Sequence, residues 1–324
     1  HSPRLPPLYD KNSTMITEFF LIGFGRLPNL KYFLFSILLV IYITTLAGNV
    51  LIILLVSTAK TLNSPMYFFL SNLSFFDILF STTIVPNLLH VTAKENGTMS
   101  ITGCFVQLHF YGLSATTECF LLAVMSYDRY LAICNPLRYT TIMNFSLQLY
   151  LIIWSWIFGF IVTLTIVILV RSLWFCGPNV IDHFFCDFSP LLKLACSDTN
   201  VVKITNFVLA TPITLFLFKL VVLSYIYIFI TILRIPSNSG RKKAFYTCSS
   251  HLTVVCTYYG TLFTIYGIPS GENSATINKA LSLLYTVLTP ILNPIIYTLR
   301  NQAIKTALQN MLLKNRKNTF WIKS

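Results

Sequence analysis

The sequence predicts an all-α membrane protein, built as a bundle of seven transmembrane helices. Its 324 residues are 55% hydrophobic and only 10% charged, whereas a soluble domain carries about 25% charged residues. The apolar residues also fall into seven long blocks. These blocks cover residues 30–57, 65–89, 101–133, 146–170, 202–234, 245–268 and 277–299. As a helix rising 1.5 Å per residue, each block can cross a hydrocarbon core of roughly 30 Å.

Only helices suit these blocks, because every backbone amide in lipid needs a partner within its own segment. Four prolines predict kinks in the second, fifth and seventh helices, at Pro86, Pro212, Pro290 and Pro294. Such kinks are tolerated where neighbouring helices or water bind the freed carbonyls. After the seventh block, residues 302–313 are amphipathic. This pattern predicts a short helix lying on the inner membrane surface.

The distribution of charge predicts the orientation of the bundle. With the N-terminus outside, the inner side holds thirteen basic residues and one acid, Asp128, while the outer side holds nine basic and seven acidic residues. An excess of Lys and Arg is typical of the cytosolic side. The chain therefore divides into an extracellular N-terminus (1–29), a seven-transmembrane helix domain in contact with membrane lipid (30–299) and a cytosolic tail (300–324). Because the basic residues are scattered through short loops, nucleic-acid binding is not indicated.

Sequons and cysteines agree with this topology. Asn12, in the sequence Asn12-Ser13-Thr14, is the predicted glycosylation site on the outer side. Four cysteines also fall on this oxidising side, at positions 104, 176, 186 and 196. Four cysteines allow three pairings, and the spacing alone does not choose among them.

The end of the third block carries the most specific motif, the run MSYDRYLAICNPLRY at residues 125–139. It places Arg129 at the membrane boundary, where an arginine costs free energy unless it is paired or reaches water. The run resembles the end of the third helix in rhodopsin-like (class A) G-protein-coupled receptors. With Asp128 and Tyr130 beside Arg129 and Pro136 following, it resembles more narrowly the odorant (olfactory) receptor family.

Further motifs extend the resemblance over most of the chain. They are Gly48-Asn49, SPMYFFLSNLS at 64–74, Ser224-Tyr225, KAFYTCSSHL at 243–252 and TPILNPIIYTLRN at 289–301. Two single positions depart from the family pattern, because Asn63 stands where histidine is usual and Tyr246 where serine is usual. Neither departure affects a residue to which the resemblance gives a role.

The resemblance implies a multi-pass receptor of the plasma membrane, with no enzymatic activity and no organic cofactor. Such a receptor binds a small volatile odorant and activates a stimulatory, olfactory-type G protein, which raises cyclic AMP. The resemblance also implies disulfides between Cys104 and Cys186 and between Cys176 and Cys196. A rhodopsin-like receptor for another small ligand, outside olfaction, remains an alternative. A transporter would predict internal repeats, and the sequence has none.

A set of residues at the inner end is implied to couple ligand binding to the G protein. Arg129 is expected to pair with Asp128 at rest, and Tyr225 and His251 to close the inner ends of helices three, five and six. The basic run at 241–243 offers no acid on helix six to hold Arg129. The complete predicted set is Asp128, Arg129, Tyr130, Tyr225, His251, Asn293, Pro294 and Tyr297.

The resemblance places a ligand pocket in the outer third of helices three, five, six and seven. The expected lining is Tyr111, Gly112, Ala115, Thr116, Leu209, Ile213, Tyr259, Leu262, Phe263, Tyr266 and Thr286. This lining is apolar and aromatic with a few hydroxyls, so it suits a small, largely apolar molecule with one hydrogen-bonding group. An amine is disfavoured, because amine receptors carry an acid where Tyr111 stands.

Three charged residues fall inside the membrane. Asp77 and Glu118 lie at depths where they can meet, and carboxylates buried in lipid must be protonated, paired or bound to a cation. Two carboxylates with nearby amide oxygens suit a hard cation, so we predict a sodium ion. A carboxyl pair sharing one proton is the alternative. Lys219, in the middle of the fifth block, has no predicted partner.

Overall fold

The computed structural model describes residues 16–24, 30–94, 97–176, 178–267 and 274–322. In chain order, the α-helices of this part are α1 (Lys31–Thr58), α2 (Pro65–Lys94), α3 (Ile101–Cys134), α4 (Pro136–Ile142), α5 (Phe145–Arg171), α6 (Phe188–Lys193), α7 (Asn200–Leu233), α8 (Asn238–Gly267), α9 (Ser274–Arg300) and α10 (Gln302–Ile322). A 3₁₀ turn, Lys60–Leu62, joins α1 to α2. The predicted site Asn12 lies outside the described residues.

The seven long helices form the predicted transmembrane bundle. Blocks one to seven correspond to α1, α2, α3, α5, α7, α8 and α9. Among the described helices, six are long and apolar enough to span a membrane. The other long helix, α8, has 30 residues but is less apolar, because its first turns carry basic and hydroxyl side chains. It begins seven residues before the predicted block, and α10 extends nine residues beyond the predicted amphipathic segment.

The bundle buries polar groups and exposes apolar ones, as a membrane protein must. The polar side chains of Asn49, Asp77, Glu118 and Asn293 are buried at its centre, each no more than 4% exposed. Large apolar side chains cover the outside, with α1, α5 and α7 the most exposed. Lipid solvates these side chains as well as the protein interior would, so burial there offers no advantage.

A contact from α1 compensates the second proline of α9. Pro294 has no N–H, so the carbonyl of Pro290, four residues earlier, loses its helical partner. The side-chain amide of Asn49 donates to this carbonyl at 3.1 Å. Gly48 makes the approach possible, since a Cβ there would lie 2.9 Å from the Cβ of Pro294. The Gly48-Asn49 motif therefore packs the start of the bundle against its kinked last helix.

A small sheet covers the outer end of the bundle. Its strands are β1 (Glu18–Leu21), β2 (Gly97–Ser100) and β3 (Val180–Ile181), in the order β2-β1-β3. Strand β1 pairs antiparallel with β2 and parallel with β3. Alternate β1 residues, Phe19 and Leu21, are fully buried beneath the sheet. The sequence did not predict this strand, because four residues without a neighbouring hairpin turn carry almost no local signal.

Two disulfides hold the same end. Cys104, in the first turn of α3, bonds Cys186 in the long loop between α5 and α7, with their Cα atoms 5.4 Å apart. Cys176 bonds Cys196 within that loop, at a Cα separation of 5.8 Å. Both pairings implied by the family resemblance are confirmed. The long loop is thus anchored to α3, to itself and, through β3, to the N-terminal strand.

Candidate functional site

An open cavity of about 640 Å³ lies at the cytosolic end of the bundle. Its lining comes from the ends of α2, α3, α8 and α9 and the start of α10. The lining residues include three basic side chains, Arg129, Lys242 and Arg300, and no acid among the described residues. The cavity is therefore electropositive and wide enough to admit part of another protein.

The arginine of the DRY motif is held by its neighbour, as predicted. Arg129 donates to Asp128 Oδ2 through Nη2, at 2.6 Å, and through Nε, at 3.1 Å. Asp128 is fully buried, and the Arg129 side chain is 13% exposed. The pair satisfies both charges within α3, so this geometry requires no acid on α8.

A third residue, which the sequence analysis missed, completes this pair. Tyr139, in the short helix α4, donates its hydroxyl to Asp128 Oδ1 at 2.8 Å. Burial, followed by the negative charge of Asp128, raises the pKa of Tyr139 above its ordinary value, so the hydroxyl stays protonated. Pro136 at the start of α4 favours a helical turn that brings Tyr139 back to α3. The signal for this contact in the sequence was PLRY at residues 136–139, which ends the motif.

A second contact joins α7 to α8 beside the cavity. Tyr225 and His251 share a hydrogen bond of 2.6 Å between the phenol oxygen and Nδ1. His251 is fully buried, and the two rings are stacked at 5.8 Å. Tyr130 packs near the same end, with its ring 6.0 Å from that of Tyr227 in α7. The structure thus brings together Tyr225 and His251 as the sequence implied.

The seventh-helix residues of the predicted set lie deeper. Asn293 donates to both oxygens of Asp77, at 3.1 and 3.0 Å, and to Glu118 at 3.4 Å. Tyr297 lines the cavity and is fully buried. Its hydroxyl has no hydrogen-bond partner among the described residues. The two membrane carboxylates therefore meet on one amide. The Asn49 side-chain nitrogen donates to the Pro290 carbonyl, and the Asn49 side-chain oxygen has no hydrogen-bond partner among the described residues.

Two buried hydroxyls lie on the helix faces that carry this polar cluster. Ser114 precedes Glu118 by one turn of α3, and Thr289 precedes Asn293 by one turn of α9, so each shares a face with its neighbour. Both hydroxyl oxygens are buried and lack a partner in the described part of the chain. Together with the two carboxylates, they form a set of oxygens of the kind that a hard cation prefers.

Part of the predicted ligand pocket is assembled around Tyr259. This side chain is 2% exposed, and its hydroxyl lies 3.2 Å from the thiol of Cys119 in α3. Its ring contacts Phe218 of α7 at 4.9 Å, and Phe218 in turn contacts Phe263 at 5.2 Å. Helices α3, α7 and α8 therefore meet at Tyr259. Cys119 and Phe218 were not among the predicted lining residues.

The α3 side of the predicted lining is also in contact with aromatic groups. The Tyr111 ring lies 5.4 Å from Phe80 and 5.1 Å from Phe185 of the covering loop. The hydroxyl of Tyr258 donates to the carbonyl of Ala115 at 2.7 Å. Tyr258 was not predicted, although it directly precedes Tyr259.

The remaining predicted lining residues lie in several environments. Gly112 faces Thr163 of α5, where an added Cβ would approach the Thr163 methyl to 2.9 Å. Thr286 is buried between α9, α1 and α2. Leu209 packs with the outer cluster beneath the sheet, and Ile213 and Leu262 pack against the main core. Thr116 is partly buried, and the side chain of Tyr266 lies outside the described residues.

The loop above this region carries a salt bridge that ties three segments together. Lys279, near the start of α9, pairs with Asp182 and also donates to the carbonyl of Gly23 at 3.1 Å. The side chain of Asn179 donates to the Glu18 carbonyl at 2.6 Å. These contacts fasten the N-terminal strand and the loop to the last helix.

Two titratable residues of this loop have shifted pKa values. His183 is buried beside Phe184 and Phe185, and this burial, followed by the positive charge of Lys279, lowers its pKa to about 3. Burial raises the pKa of Asp187 to about 6. The loop thus holds a neutral histidine and a carboxyl group that charges only near neutrality.

Comparisons with known proteins agree with this geometry. The family model described as "Olfactory receptor" matches residues 38–315. Olfactory receptor 11A1 of Homo sapiens is 46% identical over 297 residues, which cover 92% of this chain and 94% of that receptor. Olfactory receptor 6C3 of Homo sapiens is 46% identical over 303 residues, and olfactory receptor 5G9 of Mus musculus is 45% identical over 305. Both alignments cover 94% of this chain and 97% of the relative.

Identity at this level, over nearly the whole length, fixes the family. The described bundle also has the features that the shared motifs imply, including the two disulfides and the buried Asp128–Arg129 pair. The chain therefore belongs to the olfactory receptor family, whose members are multi-pass receptors of the plasma membrane rather than enzymes.

Proposed function

We propose that this receptor binds a small, largely apolar volatile and activates a stimulatory, olfactory-type G protein, which raises cyclic AMP. The observation that carries the proposal is the cytosolic cavity, which ends at Arg129 and lies beside the contact between Tyr225 and His251. A cavity at the inner end, bordered by side-chain contacts between helices, suits a partner that binds when those contacts separate.

The activating step separates α8 from α7. Outward movement of α8 breaks the hydrogen bond between Tyr225 and His251 and widens the cavity. Arg129 then exchanges Asp128 for a group on the G protein. An odorant drives this change only through its higher affinity for the open form.

The charge of the cavity favours the same partner. Arg129, Lys242 and Arg300 all line it, and positive surfaces steer and orient negatively charged partners. A C-terminal helix of a G protein ends in a carboxylate, which complements this lining. The partner's helix would fill much of the 640 Å³.

The contacts of Tyr259 connect the ligand region to α8. An odorant with one hydrogen-bonding group competes with the Cys119 thiol for the Tyr259 hydroxyl, and its apolar part packs on Phe218. Both contacts reach α8, whose inner half carries His251. Binding at Tyr259 can therefore change the relative stability of the two positions of α8.

We also propose a sodium ion beside Asp77 and Glu118. Ser114 and Thr289 supply buried hydroxyl oxygens that have no partner among the described residues, and the two carboxylates supply charge. The ion would stabilise the resting form, and its loss would accompany activation. A proton shared between the carboxyl groups is the competing explanation for two acids in one buried site.

The coupling proposal is tested with a cyclic-AMP reporter in cells that express the receptor and the olfactory G protein, screened against volatile mixtures. Arg129→Ala should abolish the response at matched surface expression. Lys60→Ala, which removes an exposed cytosolic charge outside the cavity, should leave it intact. A response that survives Arg129→Ala would contradict the role of Arg129.

The sodium proposal is tested by replacing external sodium with choline in the same cells. Basal cyclic AMP should rise, and Glu118→Gln should remove this dependence. Equal basal activity in sodium and choline would instead support the shared proton.

A further inference from the structure

Lys219 points directly away from the bundle. The inward face of α7 includes Leu217 and Val221, which are 5% and 2% exposed. Lys219 lies two residues from each, so it is rotated by about 200° from both on a helix of 3.6 residues per turn. Its side chain is exposed. The lysine therefore lies on the surface of α7 that faces lipid.

The position is also far from both membrane surfaces. Exposed apolar side chains continue on α7 from Phe207 to Ile230. Lys219 lies about 18 Å from Phe207 and about 16 Å from Ile230 along the helix axis. A lysine side chain spans roughly 6 Å. Side chains on a helix tilt towards its N-terminus. In α7 this is the extracellular direction, and the extracellular interface is the more distant of the two from Lys219. Neither interface is within its reach.

No acid in the described part of the chain pairs with Lys219. Of the described acids, Asp77 and Glu118 lie within the membrane depth of the bundle, and both are buried against Asn293. Among the described residues, Lys219 makes no ion pair or hydrogen bond. An ammonium group exposed to hydrocarbon costs free energy unless a partner satisfies it.

We propose that Lys219 and its exposed neighbours Leu215, Phe216, Val222 and Leu223, here called the Lys219 face, dock a transmembrane helix of another membrane protein. That helix carries an Asp or Glu at the depth of Lys219. Charge complementarity selects this occupant, because a carboxylate opposite the ammonium group replaces an unpaired charge with a hydrogen-bonded pair in lipid.

A second copy of the receptor does not meet this requirement. Its membrane acids face the interior of its own bundle, so it presents no carboxylate at this depth. A symmetric contact through the same face would also place two Lys219 side chains together. The bulky residues of the Lys219 face favour a partner with small residues beside its acid, because small residues allow helices in membranes to approach closely.

The test uses the purified full-length receptor in phosphatidylcholine vesicles, with a donor fluorophore on its C-terminal tail. The probe is a designed single-span helix of Leu and Ala with one central Glu and an acceptor fluorophore. The Glu probe should associate roughly threefold more tightly than the same helix with Gln, the factor expected for one interhelical polar contact. Lys219→Ala should remove the difference in affinity between the Glu and Gln probes. Lys219→Glu should instead favour a probe with a central Lys over the Gln probe.

Two controls isolate the lysine and its depth. Lys203→Ala removes a lysine from the outer end of the same helix and should not change the preference for Glu. Moving the Glu seven residues towards the end of the probe should abolish the preference. Equal transfer for the Glu and Gln probes would overturn the proposal.

Two further outcomes would overturn it in favour of other occupants. Energy transfer between receptor copies that Lys219→Ala abolishes would identify a second copy. A preference for Glu that appears only when anionic phospholipid is added would identify a lipid headgroup as the partner.

Discussion

The two ends of this receptor are held together in different ways. At the outer end, two disulfides, a three-stranded sheet and the Lys279–Asp182 pair join the N-terminal strand, the long loop and the helices. At the inner end, the described cysteines form no disulfide, and the helices around the cavity are joined by side-chain hydrogen bonds, an ion pair and a small apolar cluster. The most important hydrogen bonds are those of Asp128 with Arg129 and Tyr139, and of Tyr225 with His251.

This difference indicates which end can move. A native disulfide contributes typically 2–5 kcal/mol, and breaking one is a covalent change that ligand binding does not cause. A hydrogen bond to a charged group contributes about 1.5–3 kcal/mol, which is comparable to the differential affinity of a ligand for two states. The outer end is therefore the more strongly held, and in the proposed mechanism the inner end is the part that rearranges.

The largest effect is expected from breaking a disulfide at the outer end. Cys104→Ser removes the disulfide to Cys186 and releases the loop from α3, so most of the receptor should fail to reach the cell surface. The matched control is Cys256→Ser, because Cys256 is a free, exposed cysteine. Antibody labelling of intact cells measures the surface fraction. Normal surface labelling of Cys104→Ser would show that the outer end does not depend on this bond.

The next effect concerns the inner end. Tyr139→Phe removes one hydrogen bond from buried Asp128, which weakens its hold on Arg129. A hydrogen bond to a charged group contributes about 1.5–3 kcal/mol. This value is an upper limit on the change in the free-energy difference between the resting and active forms, because any part of the active form that keeps the bond loses it as well. Basal cyclic AMP should therefore rise several-fold without ligand, while surface expression stays unchanged.

The control for this variant is Tyr150→Phe, which removes an exposed hydroxyl on α5 that bonds no described residue. A lower basal activity in Tyr139→Phe would mean that the hydroxyl supports the active form. Basal activity equal to that of the parent would show that the Asp128–Arg129 pair alone determines the resting state.

A smaller effect is expected from removing the salt bridge between the loop and α9. Asp182 is 59% exposed and Lys279 is 14% exposed, and exposed ion pairs contribute about 0–1 kcal/mol. Lys279→Met should therefore accelerate hydrogen exchange of the β1 amides by up to about fivefold, since exchange follows local opening. Lys193→Met, in the same loop, should have no effect. Unchanged exchange in Lys279→Met would show that the sheet and disulfides suffice.

The sequence predicted the helical frame well and the outer end poorly. Transmembrane helices follow from the need to satisfy every backbone amide in lipid, so seven apolar blocks were sufficient to locate α1, α2, α3, α5, α7, α8 and α9. Strand β1 has no such requirement. Its pairing with β2 and β3 depends on segments about 80 and 160 residues away in sequence, which periodicity cannot detect.

The candidate site shows the same division. Arg129 and Asp128 are adjacent in sequence, so their pairing could be predicted. Tyr139 reaches Asp128 only because α4 turns back under α3, and Cys119 meets Tyr259 only through the packing of α3 against α8. Contacts of this kind depend on how the helices are rotated about their axes, which local sequence patterns do not specify.

The smallest expected effect is a pH dependence of stability that arises at the outer end. There, His183 and Asp187 change the stability in opposite directions as the pH falls. The pKa of His183 is lowered to about 3 from an ordinary value of about 6.5. Between these values the unfolded state binds more protons, so stability falls as pH falls through 6.5. The pKa of Asp187 is raised to about 6. Here the folded state binds more protons, so stability rises as pH falls through 6.

Between pH 7.5 and 5.5, the histidine costs roughly 1 kcal/mol and the carboxyl group offsets part of this loss, so the parent should lose less than about 1 kcal/mol. Two variants separate the contributions. His183→Gln should become more stable on acidification, and Asp187→Asn should lose more stability than the parent. Thermal unfolding of the purified receptor at the two pH values, followed by tryptophan fluorescence, measures each change. Because the inner residues are common to all three proteins, a pH response that is the same in all three would place its origin outside this loop.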